Sequence, residues 1–186
     1  VIAADTSNSG VVQHYKSVRG ITGHVAKLND PEQLAILVAE TVEKLGGLDI
    51  LVTDFLLRQP EPLSRVDDKL EAVLKQRATL VMAACRAALP HLKKSPAGRI
   101  INLGFLRSFF AADGADASAR AERDLANLTR ALAAETGEFG ITANYIQPGA
   151  VMTPESREVF RKNKGLRDYC IQSSAARRLG EPVDIA

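Results

Sequence analysis

Cysteine, histidine and one-sided charge are scarce in this chain, and each scarcity removes a class of function. Among 186 residues there are 2 cysteines and 3 histidines. Cys85 and Cys170 show no partner spacing, which predicts free thiols in a reducing compartment rather than a disulfide scaffold. His14, His24 and His91 stand far apart, and no HxxH, HExxH or CxxC pattern occurs, so no metal site is expected. No run of ~18 apolar residues is present to cross a membrane. The opening Val1-Ile2-Ala3-Ala4-Asp5 has neither the basic nor the long apolar segment of a secretory signal, so a cytoplasmic protein is expected. Lys plus Arg number 24 and Asp plus Glu 22, a net charge of +2. With no stripe of basic residues interleaved with aromatics, nucleic acid is not an expected partner.

What is present is the composition of a packed domain: 46% hydrophobic and 25% charged residues, enough for one core over residues 1–186. Apolar runs at 1–4, 21–26, 48–53, 99–104 and 141–147 predict strands. Helical patterns lie between them. A weak one covers 11–19. A second opens at Asn29-Asp30-Pro31-Glu32, carries Leu34, Leu37, Val38, Val42 and Leu45, and stops at Gly46-Gly47. A long one covers 65–94, with Ala83, Ala84, Ala87 and Ala88 giving it small faces, and another covers 117–136, with Leu125, Leu128 and Leu132 on one side. Residues 58–64 and 105–116 read as loops, and loop and short helix follow Pro148-Gly149. Near-continuous apolar strands alternating with helices predict a parallel sheet covered on both faces: a doubly wound, three-layer α/β/α domain.

The order of these pieces resembles the short-chain dehydrogenase/reductase family. The resemblance rests on Val1 to Asp5, Gly47-Leu48-Asp49-Ile50-Leu51-Val52, Gly98-Arg99-Ile100-Ile101-Asn102, Asn127-Leu128-Thr129-Arg130-Ala131-Leu132-Ala133, Asn144 to Gly149, and Arg178-Leu179-Gly180-Glu181-Pro182. It spans essentially the whole chain. It implies a Rossmann-like fold, NAD or NADP as cofactor, and a dimer or tetramer built through helices 65–94 and 117–136. It also implies a first strand with a Gly-rich turn before Val1, seated between the strands at 1–4 and 48–53, and a last strand after Ala186. A whole chain of about 250 residues is then expected.

The family's chemistry uses a Tyr, a Lys four residues on, a Ser thirteen residues before the Tyr, and an Asn on the long helix. The Lys cation lowers the Tyr pKa so that the phenol can exchange a proton with substrate. In the matching register Phe105 stands at the Ser position, Ser118 at the Tyr position, Glu122 at the Lys position and Arg77 at the Asn position. One test needs no register. The tyrosines are Tyr15, Tyr145 and Tyr169, and no Lys occurs between Lys94 and Lys162, so no Tyr-x-x-x-Lys exists near helix 117–136. Glu122 would act in the wrong sense, since a carboxylate raises a neighbouring acid's pKa.

On the cofactor side, the resemblance places Asp5 on the adenosine ribose hydroxyls, favouring NAD, and Pro148, Gly149 and Thr153 on the nicotinamide side. A turn-forming Asp and an ordinary strand end are the plain structural alternatives. Thr53-Asp54-Phe55-Leu56 replaces the family's Asn-Asn-Ala-Gly, and Phe55 and Leu56 are expected to put bulk where the adenosine half approaches. Lys27 replaces an adenine-contacting Asp. No cofactor, or weakly bound NAD, is therefore expected.

Arg77, Arg107, Arg120 and Arg123 are read as solvent-facing side chains, with an anion site as the alternative. Cys85 and Tyr145 are read as core, and Tyr169 and Cys170 as packing residues. The expected function is a non-catalytic subunit supporting an active NAD(P)-dependent homologue in a hetero-oligomer. The alternatives are a divergent NAD-dependent oxidoreductase or cofactor-free lyase, and a small-ligand-binding regulatory module.

Overall fold

The structure is a computed structural model that describes residues 1–5, 15, 18–55, 68–104 and 115–186; the side chains of 68–74, 115–121 and 155 lie outside that description. The expected helix at 11–19, apart from its neighbourhood at Tyr15, and the start of helix 65–94 fall outside it.

Every described strand pairs in parallel. β1 (Ile2–Asp5) pairs with β2 (Thr22–Val25), and β3 (Ile50–Thr53), β4 (Arg99–Leu103) and β5 (Thr142–Ile146) form a second sheet with β4 in the middle. The described strands thus form two parallel groups of the expected doubly wound arrangement. No described strand bridges β1 and β3, the two strands between which the sequence placed a further one.

Helix α1 (Pro31–Leu45) forms for local reasons. Asp30 is its N-cap and accepts from the Glu32 amide at 2.9 Å, Pro31 presets the first turn, and Gly46 ends it in the left-handed region at φ 79°. Its Leu34 and Val38 are buried, whereas Leu45, placed on the same stripe by its spacing, is exposed. Helices α2 (Asp68–Leu92) and α3 (Ala115–Thr136) bury Val81, Cys85, Ala88 and Leu92 on one and Leu125 and Leu132 on the other against Ile100 and Ile141 of the sheet side, while Leu80 and Ala84 of α2 pack with Leu34 of α1. α1, α2 and α3 form one layer over one face of β3–β5. On the opposite face Ile50 and Val52 are each 55% exposed, so the second covering layer expected from the apolar strands is not built there by the described helices.

Beyond β5, where loop and short helix were expected, lie two short helices, α4 (Pro154–Lys162) and α5 (Lys164–Ser173). The Arg178-Leu179-Gly180 segment returns to the loop after β5: Gly180 donates to the Ala150 carbonyl and Met152 donates to the Gly180 carbonyl, each at 2.8 Å. Arg178 and Asp184 close that segment with two bonds of 2.7 and 2.8 Å.

Candidate functional site

Parallel α/β sheets bind ligands at the carboxyl ends of their strands. At that edge the structure gathers three side chains that the sequence left far apart. Arg77 lies on α2 and Glu122 on α3, 45 positions away, yet Arg77 Nη1 is 2.5 Å from Glu122 Oε1. Their side chains are 8% and 6% exposed, so the pair is buried. Arg77 Nη2 donates to the carbonyl of Leu103, the last residue of β4, at 2.6 Å. The Tyr145 hydroxyl, from β5, donates to the second carboxylate oxygen of Glu122.

Both charged residues occupy core positions on their helices. Arg77 precedes Leu80, Val81, Ala84, Ala88 and Leu92 on the buried stripe of α2. Glu122 begins the stripe Leu125, Thr129, Leu132, Thr136 on α3, at alternating spacings of three and four. Expecting Arg77 to face solvent is therefore wrong. A guanidinium on an apolar stripe needs a buried acid, and Glu122 supplies it. The signal was in the sequence, since each residue falls in register with the apolar stripe of its own helix.

Tyr145 is half-buried and packs against the main core, as its place in the fifth strand suggested. Burial and the hydrogen bond to Glu122 hold its phenol above the usual range, against a smaller downward pull from Arg77. Gly104, which follows β4, leaves room for this contact. A Cβ there would stand 2.6 Å from Tyr145 Cζ and 2.7 Å from Glu122 Oε2. Asp54, after β3, also feels Arg77: burial raises its carboxyl and the guanidinium partly offsets that.

A second buried network lies beneath. Thr53 donates to Asn102 Oδ1 at 2.7 Å, Asn102 Nδ2 donates to Thr129 Oγ1 at 3.0 Å, and the Thr129 hydroxyl donates to the Leu125 carbonyl at 2.8 Å. β3, β4 and α3 are joined through it, and Asn102 is fully buried.

The residues placed on the cofactor side are spread along the same edge. Asp5 ends β1 and is half-buried. Pro148 and Gly149 follow β5, with open space where a Gly149 Cβ would stand. Thr153 caps α4, accepting from the Ser156 amide at 3.2 Å while its own amide donates to Ser156 Oγ at 2.8 Å. This capping box explains Thr153 without a ligand. Phe55, expected to add bulk on the adenosine side, packs against both core clusters. The apolar ring is drawn down onto Leu51 and its neighbours by burial. Lys27 and Arg123 are exposed. Phe105, Leu56 and Arg107 lie outside the described residues, as do the side chains of Ser118 and Arg120 on α3. Cys85 is fully buried, its thiol pushed up to about 12 by desolvation, and Cys170 is buried too, whereas Tyr169 is exposed. Among the described residues no cluster of three metal-ligating groups occurs, and no helix is long and apolar enough to cross a membrane.

Residues 2–186 match the family model described as enoyl-(acyl carrier protein) reductase. The chain is 28% identical over 189 residues to a 3-oxoacyl-[acyl-carrier-protein] reductase FabG of Vibrio cholerae, covering all of this chain and 76% of that protein. It is 29% identical over 148 residues to a D-beta-hydroxybutyrate dehydrogenase of Rhizobium meliloti, covering 79% of this chain and 54% of that protein. Among solved structures, ElxO with NADP bound superimposes with a TM-score of 0.82 at 19% identity, over 100% of this chain and 77% of that one. That likeness establishes the Rossmann-like α/β fold with its parallel strands.

Proposed function

The chain belongs to the enoyl-(acyl carrier protein) reductase family of short-chain dehydrogenases/reductases, and from that premise we propose that it is a cytoplasmic, non-catalytic member supporting an active NAD(P)-dependent alcohol dehydrogenase or ketoreductase homologue in a hetero-oligomer. One observation carries the reading. The residues matched to the family's Lys and Asn, Glu122 and Arg77, are buried against each other. A tyrosine that donates a proton near neutral pH needs a neighbour that lowers its pKa. Tyr145, the tyrosine in contact with this pair, is instead held up by burial and by Glu122. Helices α2 and α3 supply the surfaces through which such an oligomer would assemble.

The packing of Phe55 against the core clusters supports a nicotinamide dinucleotide as the cofactor. Asp5, Pro148, Gly149 and Thr153 are the residues that would hold it. When bound, the cofactor supplies a hydride donor or acceptor. The same inward Phe55 favours a second reading, a divergent NAD(P)-dependent oxidoreductase with rearranged proton donors, and the NADP-bound ElxO neighbour is consistent with it. Purifying the tagged full-length protein from its native source decides between them. The first reading expects a co-purifying family member that carries Tyr-x-x-x-Lys. Recovery of a homo-oligomer alone, with dehydrogenase activity of its own, would establish the second.

A further inference from the structure

We infer that Arg77, Glu122 and Tyr145 form a standing interlock that fastens α2, α3, β4 and β5 together at the carboxyl edge of the sheet, with Arg77 and Glu122 each depending on the other. The inference rests on geometry alone and holds whether or not the chain turns over a substrate.

Each member is anchored to a different element. Arg77 comes from α2, Glu122 from α3 and Tyr145 from β5, and the Leu103 carbonyl ties in β4. Charge is balanced within the set, one guanidinium against one carboxylate. Arg77 uses one terminal nitrogen on Glu122 and the other on Leu103, while both Glu122 oxygens accept. Its Nε is buried and finds no partner. The Arg77 guanidinium cannot turn from Glu122 to a ligand in the crevice without stranding a buried charge, which is far costlier than losing an exposed contact. The interlock therefore stays closed with the crevice empty or filled. Gly104 belongs to it as the residue whose missing side chain makes room for the Tyr145–Glu122 contact.

Mutual dependence distinguishes an interlock from three independent contacts. Removing one member of a buried ion pair strands the other, whereas replacing both with apolar side chains of similar size removes the stranded charge. The test is a double-mutant cycle on the full-length protein with Arg77→Met, Glu122→Leu and the double variant, read by urea denaturation. Each single substitution is expected to lower the folding equilibrium constant by roughly 100-fold or more, with the double variant closer to the wild type than either single. A double variant that loses the sum of the two singles would overturn the inference. Should a single variant fail to fold, the wild-type protein gives its own readout. Nitrogen-15 NMR should show Arg77 side-chain N–H protons with restricted rotation and slow exchange. Rapidly averaged Arg77 signals, like those of an exposed arginine, would equally overturn it.

Discussion

Tyr145 donates its hydroxyl to Glu122, and this contact adds to the burial that raises the phenol's proton affinity. Burial raises it first, and the carboxylate adds to the rise through both the hydrogen bond and its charge. A neighbouring cation would make a tyrosine a proton donor, and here Arg77 is neutralised by the same Glu122. Arg77, Glu122 and Tyr145 thus satisfy one another at the carboxyl edge of the sheet.

The raised phenol has a consequence in alkali. An acid whose folded pKa lies above its unfolded value contributes stability that is intact below the unfolded pKa. That stability fades as pH rises from there through the folded pKa, because the unfolded chain gives up its proton first. The ordinary phenol value is 10.0, so the loss should begin near it. Urea midpoints from about pH 9 to about pH 11.5 should fall more steeply for the wild type than for Tyr145→Phe. Parallel curves would mean that Tyr145 is not held by Glu122 in solution.

Gly104→Ala should destabilise the fold by about 1–3 kcal/mol, the usual cost of overpacking. The new methyl would press on Tyr145 Cζ at 2.6 Å and Glu122 Oε2 at 2.7 Å, and both belong to side chains already held by partners. Chemical denaturation checks this, and an unchanged midpoint would contradict the packing described.

The two cysteines should be silent in the native state. Cys85 is fully buried with its thiol near 12, and Cys170 is buried and also raised. A thiol so far above neutral pH carries almost no thiolate. A disulfide reagent at pH ~8 should modify neither in the folded protein and both after unfolding in guanidinium. Labelling of native Cys85 at the rate of a free thiol would show that α2 does not pack as described.

Asn102 and Thr53 should behave as a coupled pair. Asn102→Leu leaves the buried Thr53 hydroxyl without its acceptor and should cost about 1–3 kcal/mol. Adding Thr53→Val removes that stranded hydroxyl, so the double variant should lose less than the two singles combined. Additive losses measured by urea titration would argue against the bond.

Much of the scaffold was legible because its causes are local. Asp30, Pro31 and Gly46 mark the ends of α1 whatever surrounds them, and buried parallel strands read as apolar runs. The site was legible only in part. Arg77 and Glu122 could be matched one at a time to family positions, but their meeting depends on how two helices cross over the sheet. The packing of Phe55 was hidden for a similar reason. Sequence gave its bulk, while its direction depends on core clusters assembled from α1, α2 and β3. Thr153 carried a local sign that could have been used: with Pro154 at the first turn and Ser156 three residues on, it spells a helix start.

The central claim, a family fold without its proton-donating set, is tested most directly by following NADH and NADPH absorbance with the full-length protein and a panel of ketones that includes a 3-oxoacyl thioester. The account predicts no oxidation above the protein-free rate by this chain alone. Steady turnover by the isolated chain, abolished by Glu122→Gln or Tyr145→Phe, would contradict it.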